Sequence, residues 1–328
     1  AGLLTVLDVE ELRKSPGLIA MFLSYAALWG IFANTTMSII LGLLTSLTSL
    51  ERLLEYKLGD TPQEPPWHLE GDPARDEWPR KGGVTFTDVA LRYRPELPLA
   101  LAGFSLEIAA GEKLGIVGRT GCGKSTVMGA LFRLTPLEEG EITLGGVDIS
   151  KVGLGFLRRR ITIVPQDPVL FSGVIRRNLD PLGVLSDEDI WAGLKQCGLA
   201  PLVEGLEGGL AAKVSEGGAN FSVGERQGLC LVRALLRGTR VLCLDEATAS
   251  VDPTNDARIR NLLQEQCADM IVLTIAHRLH TVMHCDRILV LNAGSLTQLA
   301  PPATLLAEEG IFRDLAMDAG LIPSANSH

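Results

Sequence analysis

The first thing that the sequence lacks is charge near its start: no Asp, Glu, Lys or Arg occurs from Ser15 to Leu50. Within this stretch, Leu18–Leu44 consists mainly of apolar residues. A membrane-spanning helix needs about 20 such residues, whereas a secretory signal peptide has an apolar region of about 7–15. The length therefore disfavours a signal peptide and predicts a membrane span. A long helix buried in a soluble protein is the alternative.

An excess of positive charge is also missing. The chain has 39 acidic and 30 basic residues, a net charge of −9, which argues against nucleic acid as a main partner. The six cysteines show no paired spacing of the kind that binds a metal, and we expect them to be reduced, cytosolic thiols. The sequence contains neither an internal repeat nor a low-complexity segment.

A phosphate-binding loop is complete in residues 118–126, which read Gly-Arg-Thr-Gly-Cys-Gly-Lys-Ser-Thr. Its glycines allow a tight turn that points backbone N–H groups at phosphate oxygens. The motif predicts that Lys124 reaches the β- and γ-phosphates and that Ser125 ligates Mg²⁺. A buried strand, 113–117, and an amphipathic helix, 126–134, are predicted on either side. The predicted nucleotide-binding residues of the loop are Gly118, Arg119, Thr120, Gly121, Cys122, Gly123, Lys124, Ser125 and Thr126.

Two carboxylates follow a second apolar strand, Val241–Leu244. We expect Asp245 to hold magnesium, directly or through water, at the end of the strand that faces the phosphates. Glu246 is the predicted general base or water-positioning residue. Taken alone, the pair could equally be two solvated acids at the end of a strand. The phosphate loop upstream favours the functional interpretation.

Three further residues fit the same site. Gln166 follows the strand-like run 161–165 and could reach magnesium or the attacking water. His277 follows the apolar run 270–275, where a neutral imidazole could hydrogen-bond to a γ-phosphate. Tyr93 offers a ring on which a nucleotide base could stack. Each is an ordinary loop, core or strand residue if the other motifs are disregarded.

The order of predicted elements indicates an α/β fold with a phosphate-loop core. Two runs, 84–93 and 99–108, alternate as antiparallel strands do, which predicts an antiparallel β subdomain. Residues 172–237 have no strong strand signal and are predicted to form a helical subdomain. Within it, Ser222 is the natural N-cap of a helix whose first turn would face a phosphate. The predicted core strands are 113–117, 161–164, 240–244, 270–275 and 287–291.

These motifs in this order resemble the nucleotide-binding domain of the ATP-binding-cassette (ABC) transporters. The resemblance covers residues 80 to 315, and the stretches Pro165–Phe171 and Arg177–Pro181 resemble the C subfamily, in particular its second nucleotide-binding domain. The elements that carry it are Tyr93 (A-loop), Gly118–Ser125 (Walker A), Gln166 (Q-loop), Ser222–Gln227 (signature), Asp245 and Glu246 (Walker B), Ser250–Asp252 (D-loop) and His277 (H-loop).

The signature departs from the family pattern Leu-Ser-Gly-Gly-Gln. Val223 replaces a glycine, as in second domains of the C subfamily, and Glu225 replaces glutamine. In the family the signature contacts the ATP held by the opposite domain. The resemblance therefore implies that Ser222 and Gly224 bind the partner's nucleotide, and that Glu225 adds negative charge near it.

The resemblance implies a membrane-embedded exporter in which ATP and Mg²⁺ bind a cytoplasmic domain. The implied partners are the other nucleotide-binding domain, the remaining transmembrane segments and the lipid bilayer, and the implied cargo is amphipathic or an organic anion. Because other membrane segments of such a half are missing, the chain is expected to be a fragment or a truncated gene product. An ATP-gated regulatory or channel subunit is the alternative.

The predicted domain boundaries follow composition and motif positions. Residues 1–58 comprise the last transmembrane helix and its cytoplasmic extension, and 59–82 form a proline-rich, charged linker. The ABC nucleotide-binding domain spans 83–318, and 319–328 form a tail. Trp67 in the linker is interpreted either as docked on the domain or as exposed, and the sequence does not decide between them.

Overall fold

A computed structural model of the protein describes residues 16–58, 64–72, 78–79, 82–245, 267, 269–276 and 278–322. The chain divides into two compact units, Ala1–Glu64 and Pro65–His328. The predicted site residues Glu246 and His277, and the D-loop positions 250–252, lie outside the described residues.

The first unit contains one long helix, α1, which runs without a break from Pro16 to Leu58. None of its residues is buried, and it is long and apolar enough to cross a membrane, with a mean hydropathy of 1.6 over its most apolar window. A helix of 43 residues is about 65 Å long, roughly twice the hydrocarbon core of a bilayer. The helical continuation beyond the span is confirmed.

Three hydroxyl groups in the middle of α1 are satisfied by the helix itself. The hydroxyl groups of Thr35, Thr36 and Ser38 each donate a hydrogen bond of 2.8–3.0 Å to the carbonyl oxygen four residues earlier. Back-bonding of this kind removes the need for an external partner for each hydroxyl. These three hydroxyls are therefore compatible with an apolar surrounding.

The antiparallel subdomain predicted from alternation is confirmed as a four-stranded sheet. Its strands lie in the order β2-β1-β4-β5, and all neighbouring pairs are antiparallel. Phe86 and Phe104 pack edge to face on it, with ring centroids 5.4 Å apart. The strand bounds are β1 Val84–Leu91, β2 Leu101–Ile108, β4 Glu139–Leu144 and β5 Val147–Asp148.

The central sheet has six strands in the order β12-β11-β3-β10-β9-β6. Every pair is parallel except β11 with β12. All five predicted core strands are present, each within one residue of its predicted ends. Their bounds are β3 Lys113–Val117, β6 Ile161–Val164, β9 Val241–Asp245, β10 Ile271–Ile275 and β11 Arg287–Asn292, with β12 at Ser295–Ala300.

The described part of the second unit also contains shorter helices. Residues 172–237 are mainly helical, as predicted, but they also contain a two-stranded antiparallel pair, β7 (Gly173–Val174) with β8 (Lys213–Val214). Strands of two residues are too short to show periodicity in a sequence. The helices are α2 Lys124–Leu131, α3 Leu154–Arg158, α4 Ile175–Leu179, α5 Asp187–Gln196, α6 Ala200–Glu204, α7 Val223–Leu236, α8 Pro302–Ala307 and α9 Ile311–Asp318.

An ion pair between a half-buried Arg287 and a buried Glu112 ties the antiparallel sheet to the central one. The Glu112 carboxylate accepts hydrogen bonds from the Arg287 guanidinium at 2.6 and 2.9 Å and from the Ala109 backbone N–H at 2.7 Å. The bond to Glu112 raises the pKa of Arg287. The turn between β2 and β3 is thereby fixed against the start of β11.

The six cysteines are free and buried. Burial raises the pKa of Cys267 to about 11 and that of Cys285 to about 12. A thiol reacts as its thiolate, so these two groups are poor nucleophiles at neutral pH.

One tryptophan of the linker is part of the core of the second unit. Trp78 is only 5% exposed, and its indole N–H donates to the Leu144 carbonyl at 2.8 Å. Its ring stacks on Phe156 of α3 with centroids 5.4 Å apart. The segment before β1 thus contributes to the domain's stability.

We expect Trp78→Ala to lower the free energy of unfolding by about 3–5 kcal/mol, because it empties a large buried site and orphans a carbonyl. Chemical unfolding of the full chain in detergent, followed by circular dichroism, measures the change. The control is Leu134→Ala, since Leu134 is 68% exposed and should shift stability by no more than about 0.5 kcal/mol. Equal effects of both substitutions would contradict the assignment of Trp78 to the core.

Candidate nucleotide-binding site

The loop between β3 and α2 takes its path because two of its glycines approach neighbouring backbone closely. A Cβ on Gly118 would lie 2.4 Å from the Leu291 carbonyl oxygen. Gly123 has a φ of +106°, and a Cβ there would lie 2.8 Å from the Ala100 carbonyl oxygen. Any larger residue at either position would push the loop off β11 or off the start of β2.

The loop encloses the side chain of Lys124, which is only 6% exposed. Its ammonium donates to the carbonyl oxygens of Gly118 at 2.8 Å and of Arg119 at 3.1 Å. A lysine ammonium has three donors, so a third N–H is left for a ligand's phosphate oxygen. The first turn of α2 adds backbone N–H groups that the helix cannot satisfy, together with the positive end of its dipole.

The next two residues of α2 differ in exposure. Ser125 is exposed, whereas Thr126 is buried, with its hydroxyl 3.0 Å from the Tyr93 hydroxyl. This hydrogen bond brings the tyrosine beside the loop, while the residue remains 56% exposed. The alternation predicts a strand over 84–93 that includes Tyr93. In the structure β1 ends at Leu91, so Tyr93 lies two residues beyond the strand.

The parallel register brings the other predicted residues to the same edge. Asp245 ends β9 and aligns with Ile275 of β10, which aligns with Ile116 of β3. Gln166 is exposed and follows β6, the neighbour of β9. The Asp245 carboxylate, the Gln166 amide and the phosphate loop therefore lie at the carboxyl ends of parallel strands in the same sheet.

The donor set at this edge suits a magnesium ion. Ser125, Gln166 and Asp245 offer a hydroxyl, an amide and a carboxylate oxygen, the hard ligands that Mg²⁺ prefers. Among the described residues, no three His, Cys, Asp or Glu side chains come together to hold a metal. A site with one or two protein carboxylates, completed by phosphates and water, matches the usual coordination of Mg²⁺.

The signature residues lie on a different element. Ser222 is the N-cap of α7, as predicted, and accepts from the Glu225 N–H at 3.3 Å. The Glu225 carboxylate accepts in turn from the Ser222 N–H at 2.7 Å, which completes a capping box. No hydrogen bond among the described residues joins Ser222 or Gly224 to the phosphate loop.

Two sets of hydrogen bonds that hold the loop and the helix after it were not predicted from the sequence. The Gly294 N–H, in the turn between β11 and β12, donates to the Cys122 carbonyl at 2.9 Å. Arg158 of α3 donates to the carbonyls of Phe132 and Arg133, both at 3.2 Å, and so caps the C-terminal end of α2. Neither residue belongs to a motif, so no local pattern could have identified them.

Comparison with known proteins agrees with this geometry. Residues 101–249 match the family model described as ABC transporter. The chain is 46% identical over 94% of its length to ATP-binding cassette sub-family C member 3 of Rattus norvegicus and covers 20% of it. It is 46% identical over 97% of its length to multidrug resistance protein mrp-7 of Caenorhabditis elegans and covers 21% of it. The chain thus spans about a fifth of these relatives' length.

A solved structure, of a bacterial Atm1-family ABC exporter with ATP bound, shares the fold. It superposes with a TM-score of 0.76 and 31% identity, over 84% of this chain and 48% of the exporter chain. The motifs, the sheet order and these similarities together show that the chain belongs to the C subfamily of the ABC transporters.

Proposed function

We propose that the chain is the second nucleotide-binding domain, with the preceding membrane helix, of an exporter in the C subfamily. In this proposal ATP binding and hydrolysis drive the movement of amphipathic or anionic organic molecules across a membrane. The observation that carries it is the buried Lys124 ammonium inside a glycine loop, at the same sheet edge as Asp245.

The residues at the sheet edge have separate roles in binding and hydrolysing ATP. The loop N–H groups and Lys124 bind the phosphates, and the exposed ring of Tyr93 stacks on the base. Magnesium, when bound, neutralises developing charge on the phosphates, with Ser125, Asp245 and Gln166 as its protein ligands. Glu246 positions and deprotonates the attacking water, and His277 donates to the γ-phosphate. Gln166 also orients the water.

A second domain is needed to complete each nucleotide site. Ser222 and Gly224 lie on α7, away from the loop's hydrogen-bond network, which is consistent with their contacting a nucleotide held by the partner domain. The site with Lys124 and Glu246 would then use the partner's signature. Because Glu246 would supply the base there, we assign ATP hydrolysis to this site.

An exposed apolar patch supports contact with other parts of a transporter. Ile163, Val169 and Phe171 are each more than 40% exposed and line a cavity of about 180 Å³ together with Arg233 and Arg237. Large apolar side chains grouped on a surface mark an interaction site. We assign this patch to a contact with the remaining membrane segments.

The alternative function, an ATP-gated regulatory or channel subunit, is not favoured. The solved relative is an exporter, and one curated relative is a multidrug resistance protein. Membrane localisation follows from the proposal and agrees with the length and composition of α1.

Lys124→Ala is expected to weaken ATP binding by roughly tenfold or more, because a hydrogen bond to a charged group contributes about 1.5–3 kcal/mol. Titration of the full chain in nanodiscs with a fluorescent ATP analogue measures the affinity. The matched control is Lys113→Ala, which removes an ammonium that also donates to backbone carbonyls, of Gly111 and Cys267, at the other end of β3. Unchanged affinity in Lys124→Ala would refute the phosphate-loop assignment.

Glu246→Gln keeps the size of the side chain and removes the base. ATP should still bind, while hydrolysis by the chain assembled with its partner domain should fall by about 10² or more. Phosphate release and analogue binding, measured on the same samples, separate the two steps. Hydrolysis at the rate of the unmodified protein would move the catalytic role to another residue, with His277 as the next candidate.

Glu225→Gln tests whether the charge in the signature acts on the partner's nucleotide. Glutamine can also complete a capping box, so α7 should keep its stability while one negative charge near the phosphates is lost. We expect altered occupancy or turnover at the partner's site and nearly unchanged binding at the Lys124 site. Nucleotide trapping followed by domain-specific proteolysis reports the nucleotide bound at each of the two sites.

Glu225→Ala is the control for the cap, because it should destabilise the protein by about 1 kcal/mol. An effect of Glu225→Gln confined to the Lys124 site would show that the pairing of sites is reversed.

A further inference from the structure

One part of the linker, residues 65–72, is docked on α3, which begins without a side-chain cap of its own. Its N-cap residue, Gly153, has no side chain, so the first N–H groups of the helix need outside acceptors. The segment Pro65–Asp72, which we call the strap, supplies acceptors for the N–H groups of Gly153, Leu154 and Gly155. The bonds run from Leu154 N–H to the Pro66 carbonyl (3.1 Å), from Gly155 N–H to the Trp67 carbonyl (2.9 Å) and from Gly153 N–H to Asp72 Oδ1 (2.7 Å).

Two glycines of α3 make room for the strap. A Cβ on Gly155 would lie 2.2 Å from Nε1 of Trp67, and a Cβ on Gly153 would lie 2.6 Å from the Trp67 carbonyl oxygen. The indole therefore lies directly against the helix backbone, although the residue is 51% exposed. The other carboxylate oxygen of Asp72 accepts from the Leu69 N–H at 3.0 Å, which holds the strap in its turn.

The helix that the strap caps, α3, is connected to two parts of the nucleotide site, the phosphate loop through α2 and Gln166 through β6. Arg158, its last residue, donates to the carbonyls at the C-terminal end of α2, whose first turn forms the phosphate loop. The Arg160 carbonyl then accepts from the Arg240 N–H at 3.0 Å, just before β6 and β9 begin side by side. Gln166 lies two residues beyond the end of β6.

We propose that Trp67 is a positioning residue for this site: the docked strap fixes α3 and, through β6, sets the position of Gln166. The proposal rests on the proposed function, because it assigns Gln166 to the magnesium ion of a bound nucleotide.

The measurement is ATP affinity of the full chain in nanodiscs, with Mg²⁺ and with chelator, so that the gain in affinity due to Mg²⁺ is the readout. Trp67→Ala and Gly155→Ala remove the same contact from its two sides, and Asp72→Ala removes a different contact of the strap. Each variant should reduce the Mg²⁺-dependent gain in ATP affinity roughly tenfold, as loss of a residue that orients a metal ligand does. The affinity for ATP measured in the presence of chelator should stay nearly unchanged. Thermal unfolding of the same samples tests that the fold is retained.

Three controls make the result specific. The double variant Trp67→Ala/Gly155→Ala should behave like either single variant, since both act through one contact. Trp67→Phe, which keeps a ring against the helix, should restore most of the gain. Gly129→Ala makes the same change in α2, where no atom lies within 4 Å of the new Cβ, and should have no effect.

The possible outcomes separate this proposal from the proposed function. If Lys124→Ala binds ATP like the unmodified chain, the proposed function fails. If Lys124→Ala loses ATP and Gln166→Ala loses the Mg²⁺-dependent gain while the three strap variants keep it, the strap proposal is overturned. A Gln166→Ala variant that keeps the gain also overturns it, because the strap is inferred to act through Gln166.

Discussion

The parallel pairing of β3 between β10 and β11 is the constraint on which the nucleotide site depends. Because parallel strands end at the same edge, the phosphate loop, Asp245 and the residues after β6 are delivered to one place by backbone hydrogen bonds alone. Ligand sites in open α/β sheets lie at the carboxyl ends of their strands for this reason. The side chains then need only the correct residue type at the end of each strand or soon after it.

The close packing of the loop depends on the same pairing. Gly118 can approach the Leu291 carbonyl only because β11 runs beside β3 in register, with Val290 opposite Val117. The turn after β11 then donates a hydrogen bond to the loop, from the Gly294 N–H to the Cys122 carbonyl. The glycines of the motif are therefore required by the neighbouring strand as well as by the phosphates.

The parts of the fold that could be predicted from sequence are those with local periodicity or a fixed motif. The core strands, α1, the start of α7 at Ser222 and the phosphate loop all have such signals, and the structure places them within a few residues of the predictions. The docked state of Trp67 could not be predicted, because it depends on two glycines almost ninety positions away in the chain. The same holds for Arg158, whose acceptors lie at the end of another helix, and for the bond of Tyr93 to Thr126, which requires the tertiary fold.

The enclosure of Lys124 has a consequence for the speed and affinity of nucleotide capture. A free lysine side chain samples many rotamers, and ordering it on binding has an entropic cost of about 1.5–2 kcal/mol. Here two backbone carbonyls already hold the ammonium inside the loop, so folding has ordered and partly desolvated it before any ligand arrives. Less of the binding energy is then lost in immobilising the protein, and the arriving phosphate meets a charge that is already in place.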